Sequence, residues 1–437
     1  RRARGRGRRV SAGPADGGLR ASSASSMGSC YTRTTCRLCG SAELALVLDL
    51  GEMALAGAFV RPDQFAAEEK FPLRVSFCER CHLLQVIDVL PAETLFSNYF
   101  YHSSAIGTLR SHFTELAHEI ADRWATAPGA LAVEIGCNDG VLLDPLVARG
   151  VRAVGVEPAA NIAATARAKG LQIENRFFST EAARDIRERY GPASVILANN
   201  VFAHLDAMDD VVGGIAHLLD GDGVFITENH YLGSVIEELQ YDMIYHEHMS
   251  YYSLLPLERF FAQFGLVVVD VRPIPIHAGS MRFYVRHAGH PVSPAVEELR
   301  QAERSRGYDR LETFTTYADR VAGRRADLLA LLRRLAGEGK RVAGYGASGR
   351  ANTIIQYCGI GHDLMEYVVD DAPYKQGLYT PGSHFRIRPG TALQEDRPDY
   401  VLLFAWAFAD EVRRRNPEYF GSGGRMIVPL PDVRVLD

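Results

Sequence analysis

ALAVEIGCNDGVLLDPLVARGVRAVGVEPA, residues 130–159, carries the pattern that decides the fold. An apolar run at residues 130–135 ends in a glycine turn, an amphipathic stretch follows, and a second apolar run, VRAVGV, comes after it. Short apolar runs bounded by glycine and separated by helix-length segments mark strands buried on both faces of a parallel sheet. The alternation continues: NIAATARAKG and DAMDDVVGGIAHLLD read as helices, SVILANNVF and GVFITENHY as strands. Upstream, LRSHFTELAHEIADRWA reads as a helix whose Leu109, Phe113, Leu116, His118 and Ile120 approximate an apolar face. Residues 92–292 are therefore expected to form a doubly wound, Rossmann-like α/β domain.

Such sheets bind ligands beyond the carboxyl ends of their strands. Gly136 and Gly140 let the backbone approach a ligand there, and Glu157, ending the second strand, can take both hydroxyls of an adenosine ribose. A dinucleotide is the competing ligand. The turn lacks the third glycine of GxGxxG and opens on Glu134, which favours S-adenosylmethionine.

Toward the N-terminus, CRLC (Cys36, Cys39) and CERC (Cys78, Cys81) are two knuckles able to present four thiolates to one tetrahedral zinc. Disulfides are the alternative, disfavoured in a reducing cytosol. Acidic side chains outnumber basic ones between Cys36 and Cys81, so a structural ion is expected rather than a nucleic-acid module. The zinc-binding module is assigned to residues 27–91, and the Arg-, Gly- and Ser-rich residues 1–26 read as a disordered or mis-assigned start. Toward the C-terminus, residues 293–337 read as helical. RVAGYG, ASGR and ANTIIQYC then form a strand, a turn and a helix, and MEYVVDDAP and DYVLLFAW add strands. Residues 293–437 are expected to be a second Rossmann-like α/β unit.

The densest titratable cluster is YDMIYHEHMSYYS, with Tyr245, His246, Glu247 and His248 placed just after a core strand. Its histidines lie at i and i+2 without the HExxH spacing of a metal site, so acid/base work is expected, for which a histidine needs little tuning. His204, in NNVFAHLDA, is expected at the same rim, as a catalyst or as a polar wall. The 437 residues are 47% apolar and 23% charged with a net charge of -5, which offers no attraction to nucleic acid or an anionic membrane. No run approaches the roughly 20 apolar residues that span a bilayer. The expectation is a soluble, cytoplasmic monomer.

In order, the zinc knuckles, YFYHSS, EIGCNDG, NNVFAH, YHEH, HAGSMRFYV and GYGASGRANT resemble the sugar C-methyltransferases of antibiotic deoxysugar biosynthesis, from about residue 34 onward. The resemblance implies an N-terminal zinc module, a central methyltransferase domain and a C-terminal domain that helps hold a dTDP-sugar. It implies that Tyr99, His204, Tyr245, Glu247 and His248 line the sugar pocket, with His248 as base, abstracting the C-3 proton of a 4-keto sugar. Tyr245 or His204 would stabilise the enolate. It further implies Gly136, Asn138, Asp139, Gly140, Glu157, Pro158, Phe178 and Asn200 at the S-adenosylmethionine site. Tyr101, Ser103, Ser104, His277, Ser280, Arg282, Arg350, Asn352 and Lys375 are then expected at the nucleotide-sugar substrate. Arg350 stands where relatives often carry lysine, which leaves the nucleotide contacts open. Methylation at C-5, oxygen or nitrogen, a zinc-ribbon protein that only senses S-adenosylmethionine, and a dehydrogenase acting through GYGASGR are the alternatives.

Overall fold

Residues 131–135 are buried throughout, and this strand, Leu131–Ile135, lies inside a seven-stranded sheet. In space the order is Leu266–Ile274, Ser280–His287, Leu219–His230, Ala193–Asn199, Leu131–Ile135, Arg152–Val156 and Gln172–Glu174. Ser280–His287 alone runs against its neighbours. The sheet begins with this inner strand, steps to the nearer edge, then returns to the other side of its first strand. Between Leu131–Ile135 and Ala193–Asn199 the helical connections therefore diverge, opening a crevice at the strands' carboxyl ends. The computed structural model describes residues 30–96, 102–105, 107–276 and 278–437. The expected start at 1–26 lies outside them.

The helix Gly107–Arg123 buries Leu109, Phe113, Leu116, Ala117 and Ile120. His118, expected on that face, is exposed, because steps of three and four from Phe113 reach residues 116, 117 and 120 instead.

Strands Leu44–Met53, Phe71–Cys78 and Leu84–Val86 form an antiparallel sheet in the zinc module, and its fourth strand, Ser250–Tyr251, comes from the central domain just after YHEH. The two units therefore share a sheet. Residues 54–68 of the module run on to the C-terminal unit, where Val60 bridges Tyr379, Phe65 stacks on His384 at 3.8 Å and Glu68 accepts from the Gly382 N–H at 2.9 Å.

The helix Leu311–Gly337 buries Phe314, Tyr317, Val321, Leu328, Leu332 and Leu335 at helical spacing, and Phe314 stacks on Phe77 of the zinc module at 4.4 Å. It leads into a six-stranded sheet ordered Ile387–Arg388, Val368–Val369, Val342–Tyr345, Tyr400–Leu403, Arg425–Val428 and Arg434–Leu436, of which the last runs antiparallel. After Val342–Tyr345 the chain turns into the helix Gly349–Cys358, where the Ser348 hydroxyl accepts the Ala351 N–H.

A candidate active site where three units meet

Gly136 (φ 66°) and Gly140 (φ 81°) both occupy the left-handed region. A Cβ on Gly136 would stand 2.4 Å from Val201 Cγ2, and one on Gly140 2.2 Å from Leu171 Cδ1, so glycine is required on both counts. Glu157, at the end of the next strand, accepts the Asn138 N–H at 3.0 Å and the Ala159 N–H at 2.9 Å, one on each oxygen. Each oxygen keeps a lone pair for a ribose hydroxyl. Asn175 fixes this strand end by donating to the carbonyls of Glu157 (2.8 Å) and Pro158 (3.0 Å). Glu134 and Asp139 are buried beside them. Burial, and then the charges of Glu157 and Asp139, push the Glu134 carboxyl well up. Carboxyl groups crowded under a turn suit a cationic ligand.

On the other wall, His248 Nδ1 lies 2.8 Å from the Met243 carbonyl and Nε2 lies 2.8 Å from the Tyr245 hydroxyl. A carbonyl only accepts, so Nδ1 carries the proton and Nε2 presents its lone pair. The Tyr245 and His248 rings stand 3.9 Å apart, and those of His204 and His248 5.0 Å apart. Burial pulls His204 down to about 4, which keeps it neutral at neutral pH. It also pushes Glu247 up to about 7 and Tyr245 well above its ordinary value. Glu247 faces the zinc module, with Oε1 3.1 Å from where a Cβ on Gly57 would stand. His246 contacts another part of the same module, its Nε2 3.0 Å from the Pro72 carbonyl.

The C-terminal unit closes the third side. A Cβ on Gly349 would lie 3.6 Å from both Ala56 Cβ and Tyr245 Cζ, so this glycine touches both other units. Arg350 Nε and Trp406 Nε1 both donate to Asp242 Oδ2, at 2.8 and 2.9 Å. Asn352 Nδ2 donates to the Ala56 carbonyl at 2.5 Å. Arg350 Nη2, Asn352 Oδ1 and Asp242 Oδ1 are buried without a hydrogen-bond partner, three polar atoms available to a ligand. Lys375 Nζ donates to the Ala347 carbonyl (2.7 Å) and Asp370 (3.2 Å), and sits 5.4 Å from the Phe59 ring.

Some expected residues lie elsewhere. Ser103 and Ser104, expected on substrate, are bonded to the glycine turn: the Ser103 N–H donates to Asn138 at 2.9 Å, and the Ser104 hydroxyl to Asp139. Arg282, also expected on substrate, is buried in the sheet, where cross-strand register sets it opposite Glu228; it donates to Glu228 (2.8 Å) and to Glu119 (3.1 Å) of the helix Gly107–Arg123. Ser280, on the same strand, donates to the Ile276 carbonyl at 3.2 Å. Phe178, expected at the cofactor, is buried in the core against Gly214, while its neighbour Phe177 is the exposed ring. Asn200 adopts φ 55° beyond the fourth strand, its N–H donating to the Glu228 carbonyl at 2.7 Å. Tyr99, Tyr101 and His277 lie outside the described residues. Sequence reasoning passed over Asp242, which stands inside the quoted tyrosine and histidine cluster, and Trp406. It also passed over Ala56 and Gly57, which contribute backbone and smallness and leave no side-chain signal.

The four cysteine sulfurs lie within 4.8 Å of one another, with Cys36 to Cys81 at 3.4 Å and Cys39 to Cys78 at 3.6 Å. The edge of a tetrahedron with Zn–S near 2.3 Å is about 3.8 Å, so the set fits zinc. Burial pushes the Cys39 thiol up to about 11, a cost to its thiolate that a divalent cation removes. Each knuckle closes on a left-handed residue, Gly40 (φ 67°) and His82 (φ 72°). Among the described residues, YHEH is part of no such cluster.

Known families match nearly all of this architecture. Residues 36–96 match a zinc binding domain, 109–271 a methyltransferase domain, and 275–431 a C-methyltransferase C-terminal domain. The C-methyltransferase NovU of Streptomyces niveus is 36% identical over 404 residues, 92% of this chain and 96% of the relative. Among solved structures, the magnesium protoporphyrin IX methyltransferase ChlM of Synechocystis PCC 6803, with bound SAH, is 13% identical (TM-score 0.33) over 41% of this chain and 83% of its own. The CcbJ methyltransferase of Streptomyces caelestis is 17% identical (TM-score 0.32), covering 40% of this chain and 90% of its own.

Proposed function

This chain belongs to the C-methyltransferase family and is an S-adenosylmethionine-dependent enzyme with a zinc-binding module, and from that premise we propose that it methylates C-3 of a dTDP-linked 4-keto-deoxysugar. The observation that carries the reading is the lone pair of His248 Nε2, fixed by the Nδ1 bond to Met243 and set in a pocket with Tyr245, neutral His204 and a Glu247 carboxyl that titrates at about 7.

A sugar carbon becomes a nucleophile only when an adjacent ketone acidifies its C–H bond. His248 Nε2 takes the C-3 proton, and the electron pair of that bond passes into the C-4 carbonyl as an enolate. Tyr245, whose hydroxyl donates to Nε2 before the sugar arrives, turns its proton to the enolate oxygen. Glu247 in its protonated form is a second donor. S-adenosylmethionine supplies the electrophilic methyl group when bound; Gly136, Gly140 and Glu157 hold its adenosine, and the carboxyl groups beneath the turn favour its positive charge. Arg350, Asn352 and Lys375 receive the nucleotide, which supports a use for the unpartnered Arg350 Nη2 and Asn352 Oδ1. No helix among the described residues is long and apolar enough to cross a membrane.

The test is exchange of the sugar C-3 hydrogen with D₂O when S-adenosylhomocysteine replaces the methyl donor. His248→Asn should lose exchange and about 10² to 10⁴ in turnover while binding the donor normally. Exchange at full rate in that variant would transfer the role to another group, Tyr245 first. A labelled methyl found on C-5, oxygen or nitrogen would overturn the C-3 assignment.

A further inference from the structure

Arg37 follows Cys36 in the first zinc knuckle, yet its guanidinium serves the central domain. The side chain is 0% exposed. Nε donates to Asp206 Oδ1 at 2.9 Å, Nη1 to the Met249 carbonyl at 2.8 Å and Nη2 to the Val86 carbonyl at 3.1 Å, so every nitrogen is engaged. Its own backbone N–H is fixed by Gln85 Oε1 at 3.0 Å. Asp206 stands two residues after His204, and Met249 directly follows His248. The Met249 N–H also donates to the Ala203 carbonyl at 2.8 Å, which ties the two histidine segments together. One buried cation thus grips both segments, whose rings stand 5.0 Å apart.

A buried charge is a costly way to hold two surfaces together, and apolar packing would do it more cheaply. What the planar fork adds is direction: three donors at fixed angles specify where Asp206 and Met249 must lie relative to the knuckle. Asp206 is further gripped by the Tyr31 hydroxyl (2.6 Å) and Arg33 (2.9 Å), both from the zinc module. We propose that Arg37 is a positioning residue that transmits the geometry of the first zinc knuckle to His204 and His248. The zinc module is then part of the catalytic scaffold. The proposal rests on the reading that these histidines work on the substrate.

The experiment compares full-length Arg37→Gln and Arg37→Lys with the native enzyme. Lysine keeps the charge but loses the fork, and glutamine loses both. Both variants should retain one zinc per chain, give the same thiolate-to-metal absorption when loaded with cobalt(II), and bind S-adenosylmethionine with native affinity. A displacement of about 1 Å in catalytic groups costs on the order of 10² in rate, so kcat should fall by about that factor with KM for the donor unchanged. In protein carrying ¹⁵N-labelled histidine, the ring signals of His204 and His248 should shift while that of the half-buried His290, bonded to the Gly221 carbonyl, stays. Asp206→Asn, outside the knuckle, should move the same two signals and serves if the Arg37 variants do not fold. Native kcat and unshifted signals in a folded, zinc-loaded variant would overturn the proposal, as would loss of zinc or altered cobalt absorption accompanying the loss of rate. If both signals shift but His248→Asn proves fully active, the coupling stands and the base assignment falls.

Discussion

Replacing Glu247 with glutamine removes one ionisation and almost no volume. Burial lifts the Glu247 carboxyl from 4.5 to about 7, which at about 1.36 kcal/mol per unit makes the folded protein hold that proton about 3 kcal/mol more tightly than the unfolded chain. For an acid raised on folding, the stability is fully present below the unfolded value. Between pH 4.5 and 7 the unfolded chain releases its proton first, so stability falls through that window and stays lower above it. Glutamine has no proton to release. With units that share a sheet unfolding together, an unfolding entropy of about 2.1 cal/mol/K per residue gives roughly 1 °C per kcal/mol, so Glu247→Gln should gain about 3–4 °C on the native protein as pH rises from 4.5 to 8. His204 acts in the opposite sense: lowered from 6.5 to about 4, its contribution is present above pH 6.5 and lost as pH falls toward 4. That slope is common to both proteins and drops out of their difference. Scanning calorimetry of both at several pH values reads the difference directly. Parallel curves would mean that Glu247 ionises in the ordinary carboxylate range and is no proton donor at neutral pH.

Freshly purified protein should contain one zinc per chain, and Cys39→Ser should lose it together with folding; elemental analysis showing a folded, zinc-free protein would remove the site. Glu157→Ala should weaken S-adenosylmethionine binding by about 1.5–3 kcal/mol for each ribose hydrogen bond to the carboxylate, and equal affinities by calorimetry would take Glu157 out of the pocket. Gly140→Ala forces a side chain into φ 81° and against Leu171, so it should cost at least ~1–2 kcal/mol of stability and reduce donor affinity. Native melting and affinity in that variant would show the turn to be more tolerant than its geometry implies.

Chemistry limits which residue types can do certain jobs, and where it does, the sequence is readable. Few side chains take protons near neutrality, so Tyr245, Glu247, His248 and His204 stand out as a group. Thiolate pairs at two-residue spacing expose the zinc set in the same way. Buried strands such as Leu131–Ile135 and Ala193–Asn199 are legible because their residues are mostly apolar. Gln172–Glu174 and Ile387–Arg388 are too short for any periodicity to register. Adjacent aromatic residues show the limit: Phe177 and Phe178 are chemically alike, and only the direction of the chain sends one to solvent and the other to the core.

The remainder of the site is set by contacts between residues far apart in sequence. Arg282 looks like an anion ligand until strand register places it opposite Glu228, and nothing local encodes that register. Ser250–Tyr251 looks like the tail of a catalytic loop, yet it completes the sheet of the zinc module. That pairing has a chemical consequence. Because the strand directly after His248 is held in another unit's sheet, and Gly57 of that unit lies against Glu247, the desolvation that lifts Glu247 is produced jointly by two units. The perturbed acidity on which the proposed chemistry depends is therefore a property of the assembled chain, and reading the central domain alone would place an ordinary carboxylate in a solvated loop.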